Sequence, residues 1–155
     1  MSIVENALKF LKKREFVEIA TADKEGKPNS APKILLKAED REVYLIDYSI
    51  GKTFYNLQVN PRVCFSFIDS NSLFGYRLSG KAEIIEKGLI YDECLKELRE
   101  KEIKLTVERV VKGVHDNKDH KNFELEMSGH FLIYKIKIEE GSEISPRGQI
   151  KKEDC

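Results

Sequence analysis

Three consecutive residues, Gly51, Lys52 and Thr53, place a cation and a hydroxyl at the predicted start of a helix. The first N–H groups of a helix have no partner inside it and carry a partial positive charge. A lysine and a hydroxyl at the same point therefore favour an anion such as a phosphate group. The alternative is that Lys52 is a solvated side chain and Thr53 only caps the helix, because every helix needs caps.

The elements around this point are predicted from hydrophobic periodicity and turn residues. The predicted strands are 16–21, 30–37, 43–47, 62–68, 76–85 and 131–138, and the predicted helices are 3–13, 51–59 and most of 89–114. Asn60-Pro61 ends the second helix, because proline disfavours helical geometry in the residue before it. The first three strands are joined too closely for parallel crossovers. The pattern predicts a small antiparallel barrel flanked by helices.

Three further features of the chain carry structural expectations. The strand Arg62–Ile68 is apolar almost throughout, which indicates cover by helices on one face and by a partner subunit on the other. Gly80 lies inside a predicted strand and indicates a bulge or a close approach of another backbone. The charged end of the chain is expected to be frayed beyond Gln149.

Length and composition limit the classes of function. A chain of 155 residues is most simply one domain, and its 27 basic and 27 acidic residues give no basic excess for binding nucleic acid. No apolar run approaches the roughly 20 residues of a membrane helix. The cysteines Cys64, Cys94 and Cys155 are widely spaced, which fits a reducing cytoplasm better than a disulfide framework.

A polar loop with two histidines is the only candidate for a metal site in the sequence. It contains His115, Asp116, Asp119 and His120. First-row metals accept such ligands, but the spacing fits no standard site and the loop is rich in lysine. We interpret it as a solvated turn and predict no metal site.

The order of elements and several short motifs resemble the FMN-binding split barrels of the pyridoxamine 5′-phosphate oxidase-like family. The matching segments are Pro32–Lys37 for its R-x-V-L-L-K strand, Leu45–Tyr48 for the following strand end, Gly51-Lys52 for its basic pair, Asn60–Val63 for N-P-R-V and Ser79–Ala82 for its G-K-A strand. The resemblance implies a mainly β fold with flanking helices, a small antiparallel split β-barrel of the FMN-binding type. The single domain would span residues 1–155, with a helical insert at about 87–114.

The same resemblance implies a cofactor site. Lys52 would bind the FMN phosphate, and Thr53 would add its hydroxyl and N–H. Gly51 stands where the oxidases have an arginine that reaches this phosphate. The flavin ring and ribityl chain would be lined by Pro32, Lys33, Ile34 and Leu35, with further contacts from Leu45, Ile46 and Asp47.

The resemblance also implies a homodimer with flavin at the subunit interface, and hydride transfer at flavin N5 on a small substrate. A nicotinamide donor would be a further partner. The flavin supplies this chemistry, so no catalytic side chain is singled out. The C-terminal arginine pattern by which the oxidases bind pyridoxal phosphate is absent. Activity on pyridoxamine phosphate is therefore not expected, although Lys37 matches a substrate lysine.

Three alternatives remain open at the level of sequence. In one alternative this chain binds a deazaflavin in place of FMN, as related split barrels do. A cofactor-poor structural or sensory module would explain the loss of the arginine at Gly51. A haem role would involve a histidine such as His130, since some split barrels handle haem. The colour of the purified protein separates a flavoprotein from a cofactor-free module.

Overall fold

The fold is described from a computed structural model of the chain, for residues 2–101 and 131–155. These residues form seven antiparallel strands: β1 (Phe16–Ala22), β2 (Pro28–Glu39), β3 (Glu42–Asp47), β4 (Arg62–Ile68), β5 (Gly75–Ile85), β6 (Leu132–Ile144) and β7 (Ile150–Asp154). Their order in the sheet is β3-β2-β1-β4-β5-β6-β7, and β3 also pairs with β6. This pairing closes the first six strands into a barrel. The predicted small antiparallel split β-barrel with flanking helices is confirmed.

Three helices accompany the strands in the described residues: α1 (Ile3–Leu11), α2 (Lys52–Val59) and α3, which is helical over residues 89–101. The first begins with a capping box, in which the Ser2 hydroxyl accepts from the N–H of Glu5 at 3.1 Å and the Ser2 N–H donates to the Glu5 carboxylate. Apolar residues of α1 recur at helical spacing and are buried, so this helix packs on the barrel core.

Two apolar clusters lie on opposite sides of the sheet. The larger one fills the barrel and is covered by α1, with Val17, Leu35, Leu45, Phe65 and Tyr134 among its members. The smaller one lies between the outer face of the sheet and α3, where it contains Ile34, Leu36, Ile46, Ile133, Cys94 and Leu98. From Lys33 to Leu36 the side chains of β2 therefore point alternately into the barrel and under α3, and the register shift between Leu35 and Lys37 ends this alternation.

Gly80 allows a close approach between two strands, as its position in the sequence predicts. The register between β5 and β6 shifts between Ser79 and Gly80. A Cβ atom at Gly80 would lie 1.9 Å from the carbonyl oxygen of Lys137. Both expected features, the bulge and the backbone approach, are present.

The expectation of a frayed end is wrong. Residues Ile150–Asp154 form β7, which pairs with the end of β6 from Glu140 to Ile144. A tight turn joins them, in which the N–H of Gly148 donates to the carbonyl of Ser145 at 2.8 Å. Gly148 has a φ of 85°, a conformation that glycine adopts without strain.

β6 is also longer than predicted. In its pairing with β5, Gly80 lies opposite Ile138 and Ser79 lies opposite Glu140, so Glu139 is an extra residue. This bulge breaks the strict alternation of buried and exposed residues beyond Ile138. The period-two pattern ends there, although the strand continues to Ile144.

One face of β4 packs into the core of this chain, and the expected cover of its other face by a partner subunit stays a prediction. Val63 and Phe65 point into the core, whereas Ser66 and Ile68 are exposed, Ile68 by 58%. The cause is the position of the helices, because α1 packs on the barrel core and α3 covers the outer face of β2, β3 and β6.

Some sequence-based expectations lie outside the described residues. These are the second half of the helical insert, the loop with His115 and His120, and His130. Across residues 2–101 and 131–155, no helix has the length and apolar character needed to cross a membrane. The same residues contain no group of three or more histidine, cysteine or acidic side chains placed to hold a metal ion.

Candidate functional site

The start of α2 is an uncapped helix N-terminus. Gly51 is the N-cap residue, and no side chain of the described residues caps the helix. The carbonyl of Gly51 accepts the first helical hydrogen bond from the N–H of Tyr55 at 3.1 Å. The N–H groups of the first turn therefore remain available to an anion.

Thr53 adds a buried hydroxyl that lacks a partner. The residue is 1% exposed, and its Oγ1 has no hydrogen-bond partner among the described residues. An unsatisfied buried hydroxyl is unusual, because it loses its bonds to water without replacement. Lys52, the preceding residue, has an exposed side chain. An uncapped helix start, an unpartnered hydroxyl and an exposed cation together fit a phosphate group.

A buried polar contact holds α2 against the barrel. The side-chain amide of Asn56 donates to the hydroxyl of Thr21 on β1 at 3.0 Å, and both residues are nearly fully buried. Asn56 lies three residues after Thr53, on the same helix face. The contact therefore fixes the helix orientation that turns Thr53 inward.

A shallow groove of about 350 Å³ lies between α2 and the turn that joins β1 to β2. Its lining includes Asp23 and Lys24 from the turn and Lys52 and Tyr55 from the helix. The N–H of Lys27, the N–H of Glu25 and the charge of Lys52 lower the pKa of Asp23. Asp23 is thus an anion near Lys52. It competes with any anionic ligand for the positive charge of Lys52.

Three buried polar side chains meet where β3 ends. Lys33 Nζ lies 2.8 Å from Asp47 Oδ1, and the Tyr134 hydroxyl donates to Asp47 Oδ2. Lys33 is 3% exposed, and Asp47 and Tyr134 are fully buried. Asp47 Oδ1 also accepts from the N–H of Ser49 at 3.1 Å. Burial, together with the hydrogen bond to the Asp47 carboxylate, raises the pKa of the Tyr134 phenol.

The residues predicted to bind the cofactor fall into distinct environments. Lys33, Leu35, Leu45 and Asp47 are buried on the barrel side, Ile34 and Ile46 are buried under α3, Pro32 is exposed, and Gly51, Lys52 and Thr53 lie at the start of α2. The structure brings Lys33 and Asp47 together as a buried ion pair, and Gly51, Lys52 and Thr53 share the helix start. The roles of all ten residues toward FMN stay predictions.

Lys37, which matches a substrate lysine of the oxidases, is held by other groups of this chain. Its Nζ lies 3.0 Å from Glu97 Oε1 of α3 and 4.8 Å from the centre of the Tyr44 ring. Desolvation alone lowers the pKa of Lys37, but the hydrogen bond and charge of Glu97 outweigh it and raise this pKa. The lysine therefore stays charged and is paired with a carboxylate of the helix that covers the sheet.

Sequence reasoning missed Tyr134, Asn56 and Thr21. Tyr134 could have been found from the alternation of β6, since a phenol among the inward-facing residues needs a buried acceptor. Asn56 and Thr21 gave a weaker signal. A single polar residue on a helix or a strand end does not reveal its partner before the helix is placed.

The sequence profile described as pyridoxamine 5′-phosphate oxidase matches residues 3–144. The match covers most of the chain, and the chain belongs to this family. A curated relative, an uncharacterized protein of Methanocaldococcus jannaschii, is 33% identical over 91 residues, which is 57% of this chain and 60% of that relative. The chain therefore matches less than two thirds of the length of that relative.

Solved structures share the fold at low sequence identity. A Clostridium acetobutylicum protein related to general stress protein 26 of B. subtilis has a TM-score of 0.65 at 16% identity, covering 98% of this chain and 94% of that one. HupZ of Group A Streptococcus has a TM-score of 0.60 at 21% identity, covering 94% and 97%. A pyridoxamine 5′-phosphate oxidase-related, FMN binding protein of Nostoc punctiforme has a TM-score of 0.56 at 14% identity, covering 98% and 93%.

Proposed function

We propose that this protein binds FMN and acts as an FMN-dependent oxidoreductase on a small substrate. The observation that carries the proposal is the buried, unpartnered hydroxyl of Thr53 at an uncapped helix start beside Lys52. Membership of the pyridoxamine 5′-phosphate oxidase family supports it. The similar structure from Nostoc punctiforme, described as FMN binding, supports it further.

In this proposal the chain holds the phosphate at the start of α2. Lys52 supplies the charge, Thr53 supplies its hydroxyl, and the first turn of α2 supplies its backbone N–H groups. The segments Pro32–Leu35 and Leu45–Asp47 border the flavin, mainly by backbone groups, because most of their side chains are buried in the two apolar clusters. When bound, FMN supplies hydride transfer at N5, and the protein supplies position and exclusion of water.

The proposal includes a homodimer with the flavin at the subunit interface, in the cytoplasm. The loop that leads to the site exposes Tyr48 and Ile50. Such apolar exposure near a site is typical of an interface. Light scattering at micromolar concentration should give the mass of a dimer, and a monomer mass would contradict this arrangement.

The cysteines at 64, 94 and 155 are free, as expected in a reducing compartment.

A cofactor-poor structural or sensory module is the second candidate. One observation favours it: Asp23 lies close enough to Lys52 for the charge of this lysine to lower the pKa of Asp23. Gly51 provides no second cation. A deazaflavin in place of FMN is a variant of the first candidate.

The experiment is a titration of the ligand-free protein with FMN and with riboflavin, followed by quenching of flavin fluorescence. Riboflavin lacks the phosphate, so FMN should bind at least about tenfold more tightly if a charge-assisted contact to phosphate exists. Equal affinities would show that the phosphate site is wrong. A protein that binds neither ligand would favour the cofactor-poor module, and a deazaflavin would then be titrated in the same way.

A further inference from the structure

We infer that Lys33, Asp47 and Tyr134 are positioning residues that hold the loop carrying the phosphate site, and that their side chains do not touch the flavin. The inference rests on the proposed function and deepens it. It changes the role that family resemblance assigns to Lys33 and Asp47, from contacts with the cofactor to support of the residues that make those contacts.

The polar groups of these three side chains are buried and already bonded to one another, whereas the buried hydroxyl of Thr53 has no partner in the described residues. Lys33 is 3% exposed, and neither Asp47 nor Tyr134 has measurable exposure. The charged groups of Lys33 and Asp47 are joined at 2.8 Å, so each already has its partner. A buried ion pair seldom stabilises a fold more than apolar residues of the same size would. Its presence is better explained by the geometry that it imposes.

The geometry points at the loop between β3 and α2. Asp47 is the last residue of β3, and its Oδ1 accepts from the N–H of Ser49, two residues further on. Within the described residues, this is the hydrogen bond that ties residues 48–50 to the barrel, and all three side chains are exposed. Only three residues separate Asp47 from Gly51. A shift in the position of Ser49 would therefore also move the backbone that leads to Lys52.

Lys33 and Tyr134 fix the orientation of the Asp47 carboxylate, which holds the loop through the Ser49 N–H. Lys33 on β2 binds Oδ1, and Tyr134 on β6 binds Oδ2. With both oxygens held from separate strands, the carboxylate cannot rotate away from the Ser49 N–H. The loop is thus ordered before any ligand arrives, which lowers the entropy lost on binding.

Two matched variants test the inference. Lys33→Met/Asp47→Leu/Tyr134→Phe replaces all three polar groups with apolar ones of similar size. Lys33→Met/Asp47→Asn removes the same two charges but keeps an acceptor for the Ser49 N–H and a partner for Tyr134. Each variant is measured for FMN affinity, riboflavin affinity, thermal unfolding and amide hydrogen exchange of a peptide that covers residues 48–54.

The apolar triple variant should lose about tenfold in FMN affinity with riboflavin affinity unchanged, because an unordered loop must be fixed on binding. Its 48–54 amides should exchange faster. The Asn variant should stay within about twofold of the wild type in FMN affinity, since its acceptor preserves the loop. Wild-type behaviour of the triple variant, or equal losses in both variants, would overturn the inference.

Failure of the proposed function would be recognised separately. A wild type that does not distinguish FMN from riboflavin refutes the phosphate site, while the exchange comparison still decides whether Asp47 orders the loop. Should the triple variant not fold, Tyr134→Phe takes its place, because it leaves the ion pair and frees only Oδ2. Faster exchange of 48–54 in that variant supports the inference, and unchanged exchange contradicts it.

Discussion

The side-chain amide of Asn56 lies 3.0 Å from the hydroxyl of Thr21, and this hydrogen bond joins α2 to β1 in a place closed to solvent. A buried donor and acceptor of this kind form a unit, because removing one partner leaves the other unsatisfied. The contact also sets the rotation of α2 about its axis, and with it the inward direction of Thr53.

The first prediction concerns this pair. Asn56→Leu or Thr21→Val alone should lower the free energy of unfolding by about 1–3 kcal/mol, because a buried polar group loses its partner. The double variant Thr21→Val/Asn56→Leu should recover most of that loss. Urea denaturation of the four proteins measures the coupling. Two additive losses would show that the pair does not act as a unit.

The second prediction concerns the charge of the phosphate site. Lys52→Ala should weaken FMN binding by about 10- to 150-fold, the equivalent of roughly 1.5–3 kcal/mol for a charge-assisted hydrogen bond. Riboflavin binding should not change. Lys24→Ala is the matched control, because Lys24 borders the same groove from the opposite turn. Equal losses in both lysine variants would indicate a general effect of charge instead of a contact.

The third prediction is a gain of affinity. A Cβ atom at Gly51 would meet its nearest neighbour, the carbonyl oxygen of Ser49, at 3.8 Å, so a side chain fits there. Gly51→Arg should tighten FMN binding by about tenfold through a second charged contact to the phosphate. Gly51→Ala provides the control for the backbone change. If arginine and alanine behave alike in the titration, the phosphate does not lie beside residue 51.

The fourth prediction compares two glycines of β5. Gly80→Ala should lower the free energy of unfolding by more than about 3 kcal/mol, because its Cβ would overlap the Lys137 carbonyl at 1.9 Å. Gly75→Ala should cost far less, since its Cβ would meet Ile144 at an ordinary 3.7 Å. Thermal unfolding of both variants gives the comparison. Similar losses at the two positions would contradict the close strand approach.

The fifth prediction is a pH dependence of stability. Burial raises the pKa of Glu153, but the hydrogen bonds from the Val4 N–H and from Arg41 outweigh it and lower this pKa below its ordinary 4.5. A carboxyl group with a lowered pKa stabilises the fold above its ordinary pKa and loses that effect as the pH falls through the folded value. Glu153→Gln should therefore be less stable than the wild type at pH 7.

The same pair of proteins provides the control for this pH dependence. The difference in urea midpoint should shrink as the pH falls from about 4.5, the ordinary pKa of the carboxyl group, through its lower pKa in the folded protein. A difference that stays constant between pH 7 and pH 3 would mean that the charge of Glu153 plays no part in joining β7 to α1.

Most of the barrel could be predicted from the sequence because its signals are local. Arg62–Ile68 was predicted with the boundaries that it has, since a proline precedes it and apolar residues fill it. Gly80 predicts a bulge or a close backbone approach, because glycine has no Cβ atom that would block another strand. The strand Ile150–Asp154 was missed because its charged residues carry no apolar pattern, and only the turn around Gly148 indicates a hairpin.

The site was predictable only where chemistry and sequence position coincide. Lys52 and Thr53 are adjacent, so a helix start brings them together without help from the rest of the fold. Lys33, Asp47 and Tyr134 lie on three strands, and their meeting depends on the closure of the barrel by β3 and β6. Residue types alone could not distinguish a buried ion pair from two cofactor contacts.

The burial of β2 on both sides has a consequence for how this chain can change in evolution. From Lys33 to Leu36 the side chains alternate between the barrel and the space beneath α3, and all four are buried. Deleting one residue here would exchange the two sets, placing a lysine beneath α3 and parting it from Asp47. Insertions and deletions should therefore accumulate in turns such as the one around Gly26, where homologous chains can differ in length without exchanging the two faces of the strand.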